Sequence, residues 1–152
     1  MSRRSLAILA ALAMSLVPAT VAQAAPAHVE VTCSGYGCDH LDPVATGCSA
    51  GSTTVASAAI GSVGTVELRW SPTCQTNWSR VTVAAGGANP SSFWRYADIY
   101  RQSPASHDYF DFNGNGSPVY GNMLYAPGCA WASGTIQYSG GWSTGTAVQP
   151  GC

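Results

Sequence analysis

Several groups of residues carry side chains whose types and spacing suit chemistry. Gly47-Cys48-Ser49-Ala50-Gly51 has the G-x-S-x-G spacing that exposes a nucleophilic serine on a strand-to-helix turn in α/β hydrolases, with His40 or His107 as the base. Its context argues against that role: no strong strand precedes it, and Cys48 is expected in a disulfide. Asp111-Phe112-Asn113-Gly114-Asn115-Gly116 follows the first half of a calcium loop, with Asp108 as the nearest further carboxylate. Position 12 of that loop is Asn122 in place of a bidentate glutamate, so a Gly/Asn turn explains the segment more simply. His28, His40 and His107 lie scattered in turn-like sequence without metal-ligand spacing. No catalytic residue, metal or other cofactor is therefore expected.

The aromatic residues are more suggestive. Strand-like alternation from Phe93 to Arg101 places Trp94, Tyr96 and Tyr100 on one face, with Tyr109, Phe110 and Tyr120 close in sequence to the following loop. Rings with apolar faces and polar edges suit a binding surface for an extracellular glycan or a secreted protein. The same alternation would also serve a sandwich core. Asn77-Trp78-Ser79 is formally a glycosylation acceptor.

Cys33, Cys38, Cys48, Cys74, Cys129 and Cys152 all follow an export signal. Arg3 and Arg4 precede an apolar run from Leu6 to Val17, and Ala22-Gln23-Ala24 supplies the small-residue cleavage site. The run is shorter than the roughly 20 residues of a membrane span, so cleavage after Ala24 and a secreted, extracellular product without a membrane span are expected. Ser2-Arg3-Arg4-Ser5-Leu6 resembles a twin-arginine signal, but a disulfide protein is more naturally exported unfolded and oxidised afterwards. In an oxidising space the cysteines read as disulfides. Spacing alone does not fix the pairing; crowding favours Cys38 with Cys48 inside the N-terminal loop, Cys74 with Cys129, and Cys33 with Cys152 to tie the ends together. A zinc site is disfavoured because the first three cysteines lack C-x₂-C spacing.

Beyond the signal, Arg69, Arg80, Arg95 and Arg101 face seven carboxylates, and the chain has no lysine. So acidic a balance neutralises few phosphates, which excludes electrostatic binding to nucleic acid or to anionic lipid. The chain of 152 residues is long enough for one domain after the signal. We divide it into the signal at 1–24, a short leader or edge strand at 25–32, and a single disulfide-linked domain at 33–152.

The elements that must position these residues are short strands. Thr65 to Trp70 is the clearest, with Val66, Leu68 and Trp70 on one face and Thr65, Glu67 and Arg69 on the other. Further strands are expected at Thr53 to Ile60, Trp78 to Val83, Phe93 to Arg101, Val119 to Ala126 and Gly134 to Ser139. Gly86-Gly87-Ala88-Asn89-Pro90 breaks the chain, and no sustained helical period follows the signal. The expected fold is all-β, a small disulfide-stapled antiparallel sandwich or barrel.

The series Cys38-Asp39-His40-Leu41-Asp42-Pro43, Thr46-Gly47-Cys48 and Gly64 to Val81, with Tyr125-Ala126-Pro127-Gly128-Cys129 later, resembles the secreted actinobacterial proteins of domain of unknown function 2690. The resemblance implies an exported disulfide domain and supplies no activity. Gly51 stands where that family calls for an acid. Within the series, Glu67, Arg69 and Arg80 are placed to form a cross-strand charge ladder, and Trp70 and Trp78 are expected to pack on a disulfide. The functional reading is a non-catalytic extracellular or envelope-associated binding domain. A secreted protease inhibitor with an exposed loop around Ser103 to Asn115 is the alternative, and a small secreted hydrolase comes third.

Overall fold

The computed structural model describes residues 30–85 and 93–152. The expected signal, most of the leader, His28 and the chain break at 86–90 lie outside the described residues. The chain forms strands β1 (Thr53–Ile60), β2 (Gly64–Ser71), β3 (Thr76–Val83), β4 (Trp94–Arg101), β5 (Ser106–Asn113), β6 (Val119–Tyr120), β7 (Leu124–Tyr125), β8 (Ala130–Tyr138) and β9 (Gly141–Val148). One 3-10 turn, Gly35–Cys38, precedes them. Among the described residues no helix is long and apolar enough to cross a membrane.

All pairings are antiparallel and make two sheets. The first runs β1-β2-β3-β6, with β7 also on β3; the second runs β5-β4-β8-β9. The sheets stack face to face, so the protein is an all-β sandwich. Alternation sets which side chains meet between them. Ile60, Val66, Leu68 and Val81 come from the first sheet, and Ala97, Ile99, Ala130, Ala132, Ile136 and Ala147 from the second.

The second sheet contributes mainly small residues because the backbones approach closely. A Cβ on Gly134 would lie 2.7–2.9 Å from Val81, Val66 and Ile60 side chains, and one on Gly145 would lie 2.3 Å from the Ala59 carbonyl oxygen. Each contact is below van der Waals separation, so these two positions require glycine.

Several strands differ from the sequence expectation. The segment Ser103 to Asn115, expected as a loop, is mostly β5, paired with β4 from Arg101↔Ser106 to Trp94↔Asn113. The single strand expected at Val119 to Ala126 is two short pairings on β3, with Gly121 between them donating its N–H to the Ser79 carbonyl at 2.9 Å. The strand expected at Gly134 to Ser139 begins earlier, at Ala130, and β9 is additional.

The cysteine pairing also differs. The bonds are Cys33–Cys38, Cys48–Cys74 and Cys129–Cys152. The 3-10 turn folds Cys38 back to 5.3 Å from Cys33 between Cα atoms, so it bonds Cys33 although its sulfur also lies 3.9 Å from that of Cys48. Cys48 then meets Cys74 in the β2–β3 turn. Because β9 returns antiparallel along β8, Cys152 ends beside Cys129, where β8 begins, and not beside Cys33.

The loop from Cys33 to Gly51 caps one end of the sandwich and covers the face of β3 that carries Trp78. Cys38, Cys48, Cys74, Trp78 and Met123 form a second buried cluster there. Trp78 thus packs on the disulfides, whereas Trp70, on the other face of the sheet, lines a cavity with Val55, Ala126 and Gln149. Arg101 ties the cap to the second sheet, donating to Asp39 at 2.8 Å and to the Tyr125 carbonyl at 3.0 Å, with its guanidinium 5.1 Å from the Tyr36 ring centre. Glu67 pairs with Arg80 across β2 and β3, and Arg69 joins the ladder through the Thr54 hydroxyl and not by direct contact.

Candidate functional site

The outward face of the second sheet carries the largest group of aromatic side chains. On β4, Trp94, Tyr96, Asp98 and Tyr100 point away from the core, because Arg95, Ala97, Ile99 and Arg101 take the buried alternation. Register then brings neighbours to the same face: His107, Tyr109 and Asp111 from β5, and Trp131, Ser133 and Thr135 from β8. From β9 come Trp142, Thr144 and Thr146.

The rings are ordered against one another. Trp94 and Tyr96 have centroids 6.2 Å apart and planes 16° from parallel, and Trp142 lies 5.8 Å beyond Tyr96 at 42°. At the other end Tyr100 lies 4.3 Å from His107 and 5.4 Å from Trp131, both near-parallel, and His107 continues to Tyr109 at 6.0 Å. Such pairs contribute about 0.5–1.5 kcal/mol each beyond the area they bury. Trp142 nevertheless remains 51% exposed and Tyr109 57%.

Polar groups occupy the space between the two aromatic ends. The Thr135 and Thr144 hydroxyls lie 2.9 Å apart, and His107 Nε2 lies 3.4 Å from Asp98 Oδ1. Burial raises the Asp98 carboxyl above the ordinary carboxylate range, against the opposing hydrogen bond and charge of His107. Burial, helped by Asp98, likewise raises the Tyr100 phenol. The arrangement offers apolar ring surfaces beside hydroxyl, carboxylate and imidazole groups.

Trp94, Tyr96 and Tyr100 therefore share a face, as their alternation predicts, and that face is not the sandwich core. Trp131, Trp142 and His107 were not legible as members of it, whereas Tyr109, near it in sequence, joins it from β5. They arrive on β5, β8 and β9, and the spacing Trp131-x-Ser133-x-Thr135 is the signal that could have placed one of them.

The other candidates separate in space. His40 donates through Nδ1–H to Asp108 Oδ2 at 2.6 Å, and the Asn122 amide also approaches that carboxylate, at 3.4 Å. This contact pins the cysteine cap to β5 beside a cavity of about 260 Å³ lined by Asp42, Phe110, Phe112, Tyr120 and Asn122. His107 sits in β5, not in a loop. Among the described residues Ser49 is hydrogen-bonded to neither histidine, so the serine hydrolase constellation is not assembled. Asp108 and Asp111 are three apart on one strand and point to opposite faces, so they cannot share a cation. Asn77 is 1% exposed and its amide donates to the Arg69 carbonyl at 2.9 Å, which leaves no room for a glycan on it.

A family described as Protein of unknown function (DUF2690) matches this chain over residues 36–125. No curated protein and no solved structure matches it. The matched region contains the cap from Tyr36 onward, without Cys33, together with β1 to β7, and so holds the β4 and β5 part of the aromatic face.

Proposed function

Because the chain belongs to the DUF2690 family, whose function is not known, we propose from its own geometry that it is a non-catalytic extracellular binding domain for a glycan. The observation that carries this reading is the outward aromatic row of Trp94, Tyr96 and Trp142, continued by Tyr100 and Trp131. Sugar rings present C–H faces that lie against aromatic walls and hydroxyls that hydrogen-bond side chains at the rim. Thr135, Thr144, Asp98 and Asp111 supply that rim. Trp94, Tyr109 and Trp142 are exposed on a sheet face, which suits an open platform for an extended ligand. The three disulfides and the N-terminal signal pattern support an extracellular setting.

The inhibitor alternative loses its premise, since the segment expected to form an exposed loop is strand β5. The test is retention of the purified protein on insoluble cell-wall polysaccharides, with the flow-through analysed for released sugar. The reading expects retention on at least one polysaccharide with no sugar released. Passage through every one of them, or release of sugar, overturns it.

A further inference from the structure

The cavity beside Trp70 has a volume of about 280 Å³ and lies on the inward side of β2 and β3. Trp70 and Asn77 face one another in register across those strands, on the side that Leu68 and Ser79 also take. Val55 from β1, Ala126 and Pro127 ahead of β8, and Gln149 just after β9 complete its lining. Asn77 is 1% exposed, and its Nδ2 donates to the Arg69 carbonyl at 2.9 Å, which fixes the orientation of the amide. That leaves Asn77 Oδ1, together with Gln149 Oε1, buried and without a hydrogen-bond partner. A buried acceptor left unpaired is destabilising, and few persist in a folded protein without a reason.

We propose that this cavity binds a small, uncharged, planar ring that donates two N–H groups, one to Asn77 Oδ1 and one to Gln149 Oε1, with its face against the Trp70 indole. The two acceptors come from different sheets, so a ligand that satisfies both bridges the open end of the sandwich. The site is separate from the outward aromatic face and does not rest on the glycan reading.

The lining selects this chemistry. It carries no ionisable side chain among the described residues, so a charged ligand would lose its hydration with no opposite charge to replace it. A sugar fits no better, because Val55, Trp70, Ala126 and Pro127 would leave most of its hydroxyls unpaired. The volume lies near the lower end of the roughly 300–1,000 Å³ of ligand pockets, which suits one ring and not an extended chain. The polar wall is also held in place. The Gln149 N–H donates to the Ala130 carbonyl at 3.1 Å, the Gln149 carbonyl accepts from the Cys152 N–H at 3.1 Å, and the Cys129–Cys152 bond closes the segment behind it. The sequence conceals the site, because Asn77 and Gln149 lie at opposite ends of the domain and meet only through the stacking of the sheets.

The test titrates the oxidised, isotope-labelled protein with uracil and with ethyleneurea into the millimolar range, each beside its N,N′-dimethyl analogue, which keeps the ring and lacks both donors. NMR follows the Asn77 side-chain amide and the Trp70 indole. The proposal expects saturable shifts at both groups with at least one of the two parent rings, and binding at least about tenfold weaker for the matching dimethyl analogue, as the loss of two hydrogen bonds requires. Gln149→Leu removes one acceptor from a half-buried position and should weaken the same ring by about three- to tenfold, with its own thermal midpoint reporting that it folds. Buried acceptors satisfied by water alone would give no saturable shift with either ring. That result, equal binding of the dimethyl analogue, or undiminished binding by folded Gln149→Leu overturns the proposal.

Discussion

Tyr100 on β4 and Trp131 on β8 face one another directly in register, with ring centroids 5.4 Å apart and planes within 4° of parallel. Their pairing separates the structural end of the aromatic row from its exposed end. Trp131→Ala removes a stacked partner and lowers stability by about 1–2 kcal/mol. Trp142→Ala, at the exposed end, changes stability by less than about 0.5 kcal/mol while weakening glycan retention. Urea denaturation of the two variants, set beside their retention on polysaccharide, checks this division.

Gly134 sits where the two sheets touch. Gly134→Ala places a methyl group against three core side chains, and overpacking of this kind costs about 1–3 kcal/mol. Gly51→Ala, whose added Cβ meets nothing within 4 Å, tests backbone strain alone, since Gly51 has φ of 71°. Thermal unfolding should give Gly134→Ala a lower midpoint than the parent, because Val66, Val81 and Ile60 must shift to admit the methyl group.

Cys48–Cys74 joins the cap to the first sheet across 26 residues, whereas Cys33–Cys38 closes a loop of only five. The entropy of the unfolded chain depends on that length, so Cys48→Ser with Cys74→Ser costs about 3 kcal/mol and the shorter bond distinctly less. Peptide mapping under non-reducing conditions reads the pairing itself. It should recover Cys33 with Cys38, Cys48 with Cys74 and Cys129 with Cys152.

Glu67 is held below the ordinary carboxylate range, first by the hydrogen bond from Arg80, with burial opposing and Thr54 assisting. A depressed folded value means that the stabilisation is present above the unfolded pKa and is lost as pH falls through the folded one. Glu67→Gln should therefore reduce stability by about 1 kcal/mol near neutrality, and the difference from the parent should vanish in acid. Unfolding curves taken from pH about 7 down to about 2 decide the sign.

The sequence made β2 plain because Val66, Leu68 and Trp70 alternate with Thr65, Glu67 and Arg69. It concealed the first half of β8 and all of β9 because their inward positions are alanine, glycine and serine, chosen for close sheet approach and not for bulk. β5 carries no strand signature in the sequence because it is an edge strand exposed along most of its length, with no complete apolar face to mark it. The disulfide pairing follows from topology, since only the antiparallel return of β9 brings Cys152 to Cys129. The aromatic site was half legible for the same reason: β4 carries its own alternation, but its neighbours depend on strand order.

The most direct test of the binding account is to titrate the labelled protein with a soluble oligosaccharide from a polysaccharide that retains it, and to follow its side-chain and backbone resonances by NMR. The account predicts saturable shifts at Trp94, Tyr96, Thr135, Trp142 and Thr144, with β1 to β3 unmoved. Shifts confined to the cavity beside Phe110 and Tyr120, or none on the outward face of β4, β8 and β9, would contradict it.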